Sequence, residues 1–105
     1  MVRDEGGNVR ATAALYLHQD KSPPLAELKS MYVDAAWRRR GIGSSLTQMV
    51  MDESRRRGCV EMELWSDTRF TPAHSMYESL GFRRVGERTI NDSNNSVEFG
   101  FRRWV

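Results

Sequence analysis

Residues Met31 to Leu46, MYVDAAWRRRGIGSSL, decide how the rest of the chain is read. Their first three residues close a strand-compatible run, LAELKSMYV, in which Leu25, Leu28 and Val33 break the period of two and leave one face irregular. A basic turn with two glycines follows, and the spacing becomes helical near Gly43 or Ser44. A helix start presents backbone N–H groups without intrahelical partners and a partial positive charge, so a diphosphate gains several hydrogen bonds there. Gly41 and Gly43 would let the backbone curl closely around phosphate oxygens, and Arg38 and Arg40 can add charge-assisted bonds, with Arg39 directed elsewhere. The spacing is neither GxxxxGK[ST] nor GxGxxG, since Gly41-Ile42-Gly43 runs into Ser44-Ser45-Leu46. By spacing alone, two readings stand side by side: a phosphate cradle, or a glycine turn opening a helix with its arginines in water.

Downstream, Ile42, Leu46, Met49, Val50 and Met51 recur at helical spacing opposite Asp52, Glu53 and Arg55 to Arg57, and Gly58 stops the helix. CVEMELW reads as a strand alternating Val60, Met62 and Leu64 with Glu61 and Glu63. A second, shorter helix is expected with Thr71 as N-cap, Pro72 in the first helical position, an apolar stripe of Ala73, Met76, Tyr77 and Leu80, and Gly81 as its end. FRRVGERTI and VEFGFRRWV then read as strands joined by the flexible loop NDSNNS. Upstream, Glu5-Gly6-Gly7-Asn8 reads as a tight turn, VRATAALYL as a strand, and HQDKSPP as a loop that contains His18. The order strand, strand, helix, strand, helix, strand, strand is an α/β arrangement around a mixed sheet.

A chain of 105 residues has room for one domain, 1–105, and its 39% hydrophobic and 29% charged residues are those of a soluble globular protein. It contains no apolar run long enough to span a bilayer and no apolar stretch at MVRDEGGN of the kind a secretion signal carries, which points to a cytoplasmic location and no membrane partner. The lone Cys59 excludes an internal disulfide, and no His or Cys spacing suggests a metal. The net charge is only +2, but all basic residues except Lys21 and Lys29 are arginines, in clusters at 38–40, 55–57, 83–84 and 102–103. Their forked donors suit a nucleotide cofactor, a nucleic acid or a solvated face. A nucleic-acid partner is disfavoured because Asp and Glu balance the clusters and no helix-turn-helix pattern or zinc spacing accompanies them.

VDAAWRRRGIG resembles the acetyl-CoA-binding signature of the GNAT N-acetyltransferase superfamily, Arg/Gln-x-x-Gly-x-Gly/Ala, matched by Arg38-x-x-Gly41-x-Gly43. AHSMYESLGF, in the order and at the spacing that family uses, resembles its AxxLYExxGF segment. The resemblance covers essentially the whole chain. It implies a mixed, mostly antiparallel sheet with two helices and a splayed pair of parallel strands, between which acetyl-CoA wedges as co-substrate, with no metal. On that pattern Met31, Tyr32 and Val33 would offer backbone groups to the acetyl and pantetheine portion. Arg38, Arg39, Arg40, Gly41, Ile42, Gly43 and Ser44 would hold the pyrophosphate.

The same resemblance implies transfer of an acetyl group to a primary amine, on a small molecule or a peptide, by direct attack on the thioester. Tyr77 matches the tyrosine that donates toward the coenzyme A sulfur; read without the resemblance it is an aromatic member of a core stripe. Glu27 falls where relatives carry a strand glutamate acting as general base, with Glu61, Glu63 and Asp67 near the same cleft. His74 reads as finishing the polar side of its helix, Cys59 as a small buried hydrophobe, Trp37 and Trp65 as flanking the cleft, and Trp104 as packing at the chain end. Three departures from the family pattern bear on catalysis. The chain begins almost at the Gly6-Gly7 hairpin, so a homodimer or partner chain is expected to cover the sheet edge. Phe70 stands where many relatives have an asparagine, and Ala35 where many have proline. A non-catalytic acyl-CoA-binding domain and an arginine-rich nucleic-acid-binding module remain the alternatives.

Overall fold

A computed structural model describes residues 1–38 and 40–105; Arg39 lies outside the described residues. Its strands are β1 (Val2–Arg3), β2 (Val9–His18), β3 (Leu25–Val33), β4 (Glu61–Asp67), β5 (Arg83–Thr89) and β6 (Val97–Trp104). The helices are α1 (Ile42–Arg56) and α2 (Thr71–Ser79), and a short 3₁₀ turn occupies Ala35–Trp37. The six strands form one sheet in the order β1-β2-β3-β4-β6-β5, in which β3 and β4 run parallel and every other neighbouring pair is antiparallel. This is the expected mixed sheet with two helices, extended by the two-residue β1 ahead of the Gly6-Gly7 turn.

The alternation along β4 separates the two faces. Met62, Leu64 and Ser66 are buried, whereas Glu61, Glu63, Trp65 and Asp67 are only partly so. Met62 and Leu64 join Ala26, Leu28 and Phe101 from neighbouring strands, Met51 from α1 and Tyr77 from α2 in the core. Both helices therefore cover one face. Register places Tyr16, Glu27, Glu63, Arg102, Trp65 and Gly100 together on the other.

Five local expectations are corrected by the structure. Met49, placed in the apolar stripe of α1, is 63% exposed, because the helix is turned so that Leu46, Thr47, Met51 and Ser54 meet the sheet. Thr47 and Ser54 are tolerated there since their hydroxyls donate to the carbonyls of Gly43 and Met51, at 2.8 and 2.7 Å. Thr71 is the first residue of α2 rather than its cap; Phe70 holds the cap position with no side-chain hydrogen bond. Val60 lies ahead of the first rung of β4 and is 47% exposed, and Trp104 at the end of β6 is 62% exposed rather than packed. His18 is the last residue of β2 and not part of the following loop.

The irregular face read in LAELKSMYV has a definite cause. Thr12 pairs with Tyr32 and Ala14 with Lys29, so β3 carries one extra residue between those rungs. Ser30 takes up the excess with φ of 55°, and the Thr12 hydroxyl donates to its carbonyl at 2.7 Å. The bulge lies just beyond the last parallel rung, Leu28 with Leu64. Past that rung the β4 side of Lys29 to Val33 has no strand partner, and a gap opens between β3 and β4.

Candidate active site

The gap is bordered at its far end by the start of α1. Gly41, with φ of 74°, occupies the N-cap without a side-chain hydrogen bond, and no acidic residue sits in the first turn. An L-side chain is disfavoured at that φ, which accounts for a glycine at 41. Gly43 has no such constraint: a Cβ there would meet Met76 Cε at 3.5 Å and Val33 Cγ2 at 3.8 Å, ordinary contacts. The absent side chain instead leaves the helix start bare, at a point where β3, α1 and α2 converge. An uncapped N-terminus free of nearby carboxylates suits an anion.

Two of the loop's arginines are already positioned. Arg38 Nε donates to the Val33 carbonyl at 3.2 Å, which turns the guanidinium back toward the end of β3. Arg40 lies over the Trp37 ring at 4.8 Å. Both are exposed and able to offer further N–H groups to phosphate oxygens. The role expected of Arg39 lies outside the described residues. Ile42 and Ser44 belong to the first turn of α1, and Met31, Tyr32 and Val33 lie along the unpaired side of β3.

Tyr77 is 3% exposed, its ring 5.9 Å from both Phe82 and Phe101, so it is the core aromatic that periodicity suggests. Burial pushes its phenol up to about 12, and it therefore stays protonated throughout the neutral range. Among the described residues its hydroxyl has no hydrogen-bond partner, yet no side-chain oxygen is both fully buried and unpaired. The hydroxyl consequently keeps some contact with solvent. Core packing and donation toward a ligand are compatible roles for one side chain.

Four carboxylates were in contention on the sequence, and their partners separate them. Glu63 accepts from Trp65 Nε1 at 2.7 Å and from Arg102 at 3.0 and 2.6 Å. Burial pushes its carboxyl up, but these hydrogen bonds outweigh that effect and leave it below its ordinary value. Arg102 also holds Glu61, at 3.2 Å. Asp67 is bound by the Arg69 side chain at 2.9 and 2.8 Å, which holds its carboxyl down at about 2. Glu27 alone of the four has no arginine among the described residues. It is 8% exposed, and its Oε1 lies 2.7 Å from His18 Nε2.

Glu27 and Tyr77 stand on opposite faces of the sheet. In a continuous sheet they could not act on one molecule. Glu27 sits one residue before the last parallel rung, where β3 and β4 part. The histidine next to Glu27 was missed as a candidate because the register that brings β2 against β3 is not written in either segment.

His74 is not on the polar side of α2; it is 4% exposed, with Nε2 2.9 Å from the Asp67 carbonyl and 3.2 Å from the Ser66 hydroxyl. Cys59 is buried and its thiol is pushed up by that burial, in keeping with a core role. Trp65 lies on the sheet face opposite the helices, beneath the Arg88 guanidinium at 4.3 Å. Of the other arginines, Arg55 to Arg57 pair with Asp52 and Glu53, and Arg84 lies over Phe99. A cleft of about 370 Å³ between α1 and the β1–β2 pair contains none of the candidate residues. Among the described residues no three His, Cys, Asp or Glu side chains converge as a metal would need, and no helix is long and apolar enough to cross a membrane.

Comparison with known proteins agrees with this architecture. The model of the acetyltransferase (GNAT) family matches residues 1–82. A stretch of 61 residues, 58% of this chain, is 39% identical to N-acetylaspartate synthetase of Danio rerio and accounts for 22% of that protein. Ard1 from Thermoplasma volcanium superposes with a TM-score of 0.82 at 22% identity, over 94% of this chain and 65% of its own. Naa50 of Arabidopsis thaliana, solved with the bisubstrate analogue CoA-Ac-MVNAL, superposes with a TM-score of 0.76 at 22% identity, over 90% of this chain and 64% of its own. The chain thus spans about a fifth of the synthetase and under two thirds of the two solved relatives.

Proposed function

The chain belongs to the acetyltransferase (GNAT) family, and from that premise we propose that it transfers the acetyl group of acetyl-CoA to a primary amine. The observation that carries this is the gap between β3 and β4, which opens after Leu28 and Leu64 and leads to the bare start of α1. The coenzyme's pyrophosphate lies at that helix start, against Gly41 to Ser44 with Arg38 and Arg40 beside it. Backbone groups of Met31 to Val33, beyond the last rung that β3 shares with β4, receive the acetyl carbonyl and pantetheine amides.

Transfer needs a neutral amine, a polarised carbonyl and a stabilised thiolate. Glu27 takes the proton from the amine as nitrogen attacks the thioester carbon and the carbon–sulfur bond breaks. Tyr77 donates toward the departing sulfur. With its phenol at about 12 it holds its proton some three pH units more tightly than an ordinary thiol, so it acts as a hydrogen-bond donor to a developing thiolate more than as a source of free protons. Phe70, 57% exposed at the cap of α2, offers no polar group to the cofactor, which leaves that task to neighbouring backbone.

Two acceptor classes head the panel. One is L-aspartate, suggested by the name of the synthetase relative, and the other a peptide with a free N-terminal methionine, suggested by the bisubstrate analogue bound to Naa50. A homodimer or partner chain along the sheet edge at β1 and β2 also stays part of the proposal, supported by the two-residue β1, which pairs with β2 only at Ala11 and Val9. Solution mass at micromolar concentration tests it.

Calorimetric titration of the chain with acetyl-CoA and with free coenzyme A tests the central reading. Saturation near one equivalent supports it, and thiol release with each acceptor then identifies the amine. No detectable heat with either ligand, from a folded chain, withdraws the enzyme assignment for this chain.

A further inference from the structure

Glu27 does not stand alone on its side of the sheet. Its register partner on β2 is Tyr16, and on β4 it is Glu63. Lys29, on β3 itself, brings Nζ to 4.0 Å from Glu27 Oε2, beyond hydrogen-bonding distance, and rests over the Tyr16 ring at 4.9 Å. Glu63 is occupied by Trp65 and Arg102. Among the described residues, the one group within hydrogen-bonding distance of the Glu27 carboxylate is His18, at 2.7 Å on Oε1. The Tyr16 ring packs against that imidazole, with centroids 4.9 Å apart and planes at 66°.

One proton lies between His18 Nε2 and Glu27 Oε1. Opposite a carboxylate it resides on nitrogen, so the imidazole donates through Nε2. Oε1 is thereby used, and Oε2 is the oxygen left with free lone pairs. We propose that His18 is a positioning residue for Glu27: it presents Oε2 as the proton acceptor for the attacking amine, and on its own protonation it weakens that acceptor. The proposal rests on the acetyl-transfer reading. Its chemistry balances simply: the amine N–H bond breaks, an O–H bond forms at Oε2, and the Nε2–H stays on His18. When His18 also carries a proton on Nδ1, the hydrogen bond becomes an ion pair that stabilises the carboxylate's charge and lowers its affinity for the amine's proton. Protonation of His18 would then slow the chain, independently of the acceptor's own ionisation.

Two measurements on the full chain decide this. The first needs no acceptor: follow the ¹³Cδ resonance of Glu27, assigned with Glu27→Gln, against pH in the wild type and in His18→Gln. Two inflections are expected in the wild type, one of them reporting the His18 imidazole, and that inflection disappears in His18→Gln, whose amide can still donate. A single inflection, identical in both chains, overturns the coupling. The second is the pH profile of thiol release at saturating acetyl-CoA, with L-aspartate or the Met-initiated peptide. His18→Ala should lose roughly tenfold in kcat with an unchanged KM for acetyl-CoA, a modest share of what proton transfer contributes. His18→Gln should recover to within about threefold at pH 8 and keep its rate where the wild type falls. Wild-type profiles in both variants overturn the proposal. If calorimetry finds no acetyl-CoA binding, the acetyl-transfer reading fails while the resonance titration still decides the His18–Glu27 pair.

Discussion

Replacing Tyr77 by phenylalanine separates the packing role that the structure shows from the catalytic role proposed for this side chain. The ring is 3% exposed and packs against Phe82 and Phe101, and phenylalanine reproduces that packing. The hydroxyl has no protein partner among the described residues, so its loss should move stability at pH 8 by no more than about 0.5 kcal/mol. Catalysis should respond differently. A positioned acid or donor contributes 10²- to 10⁴-fold, about 3–5 kcal/mol of barrier, and kcat for thiol release should fall within that range while the acetyl-CoA affinity stays near that of the wild type.

A second signature comes from alkali. The folded-state value of about 12 lies above the ordinary value of 10, so the folded chain holds this proton more tightly than the unfolded one. The associated stability is intact below pH 10 and is lost as pH rises from 10 through 12, by about 3 kcal/mol for a shift of two units. Tyr77→Phe has no such group. Urea unfolding followed by circular dichroism should show the variant losing less stability than the wild type between pH 9 and 12. A variant with full kcat and the wild-type alkaline loss would refute the reasoning at both points.

Further outcomes follow from the same geometry. Gly41→Ala should cost about 1–2 kcal/mol because φ of 74° is a left-handed conformation, whereas Gly43→Ala should leave thermal stability nearly unchanged and weaken acetyl-CoA binding about tenfold by calorimetry. Gly100→Ala places a Cβ 2.9 Å from the Trp65 ring and should destabilise by about 1–3 kcal/mol, with a change in tryptophan emission as the ring moves. Arg69 holds Asp67 at about 2, so the stability this carboxylate adds is complete above its ordinary value of 3.8 and is lost as pH falls toward 2. Asp67→Asn should therefore flatten the stability curve between pH 4 and 2, as read by far-ultraviolet circular dichroism.

Much of the fold was legible because local pattern and tertiary environment agree. Met62 and Leu64 alternate with Glu61 and Glu63 along β4, and the alternation is the burial itself. The helix read from Gly43 or Ser44 begins slightly earlier, at Ile42, with Gly41 at its N-cap because that backbone angle needs a glycine. Where the reading failed, the local signal had a competitor. Met49 satisfies helical spacing, but Thr47 and Ser54 face the sheet because their hydroxyls bond to the helix backbone, which no hydropathy pattern registers. His74 looks polar and is buried because the Asp67 carbonyl and the Ser66 hydroxyl, eight residues away or fewer in sequence but on another element, satisfy it.

The sequence by itself determined the element types, their order, and the basic glycine turn between a strand and a helix, since each depends on residues within a few positions of one another. Only the tertiary structure decided which carboxylate is available. Arg102 reaches Glu63 across 39 residues and removes it from contention, and His18 reaches Glu27 across 9 residues by way of strand register. It also decided that the sheet parts after Leu28 and Leu64, where a bulge at Ser30 bends β3 just beyond the last rung it shares with β4. Hydrogen bonds and register are relations between segments, and the pattern of one segment does not contain them.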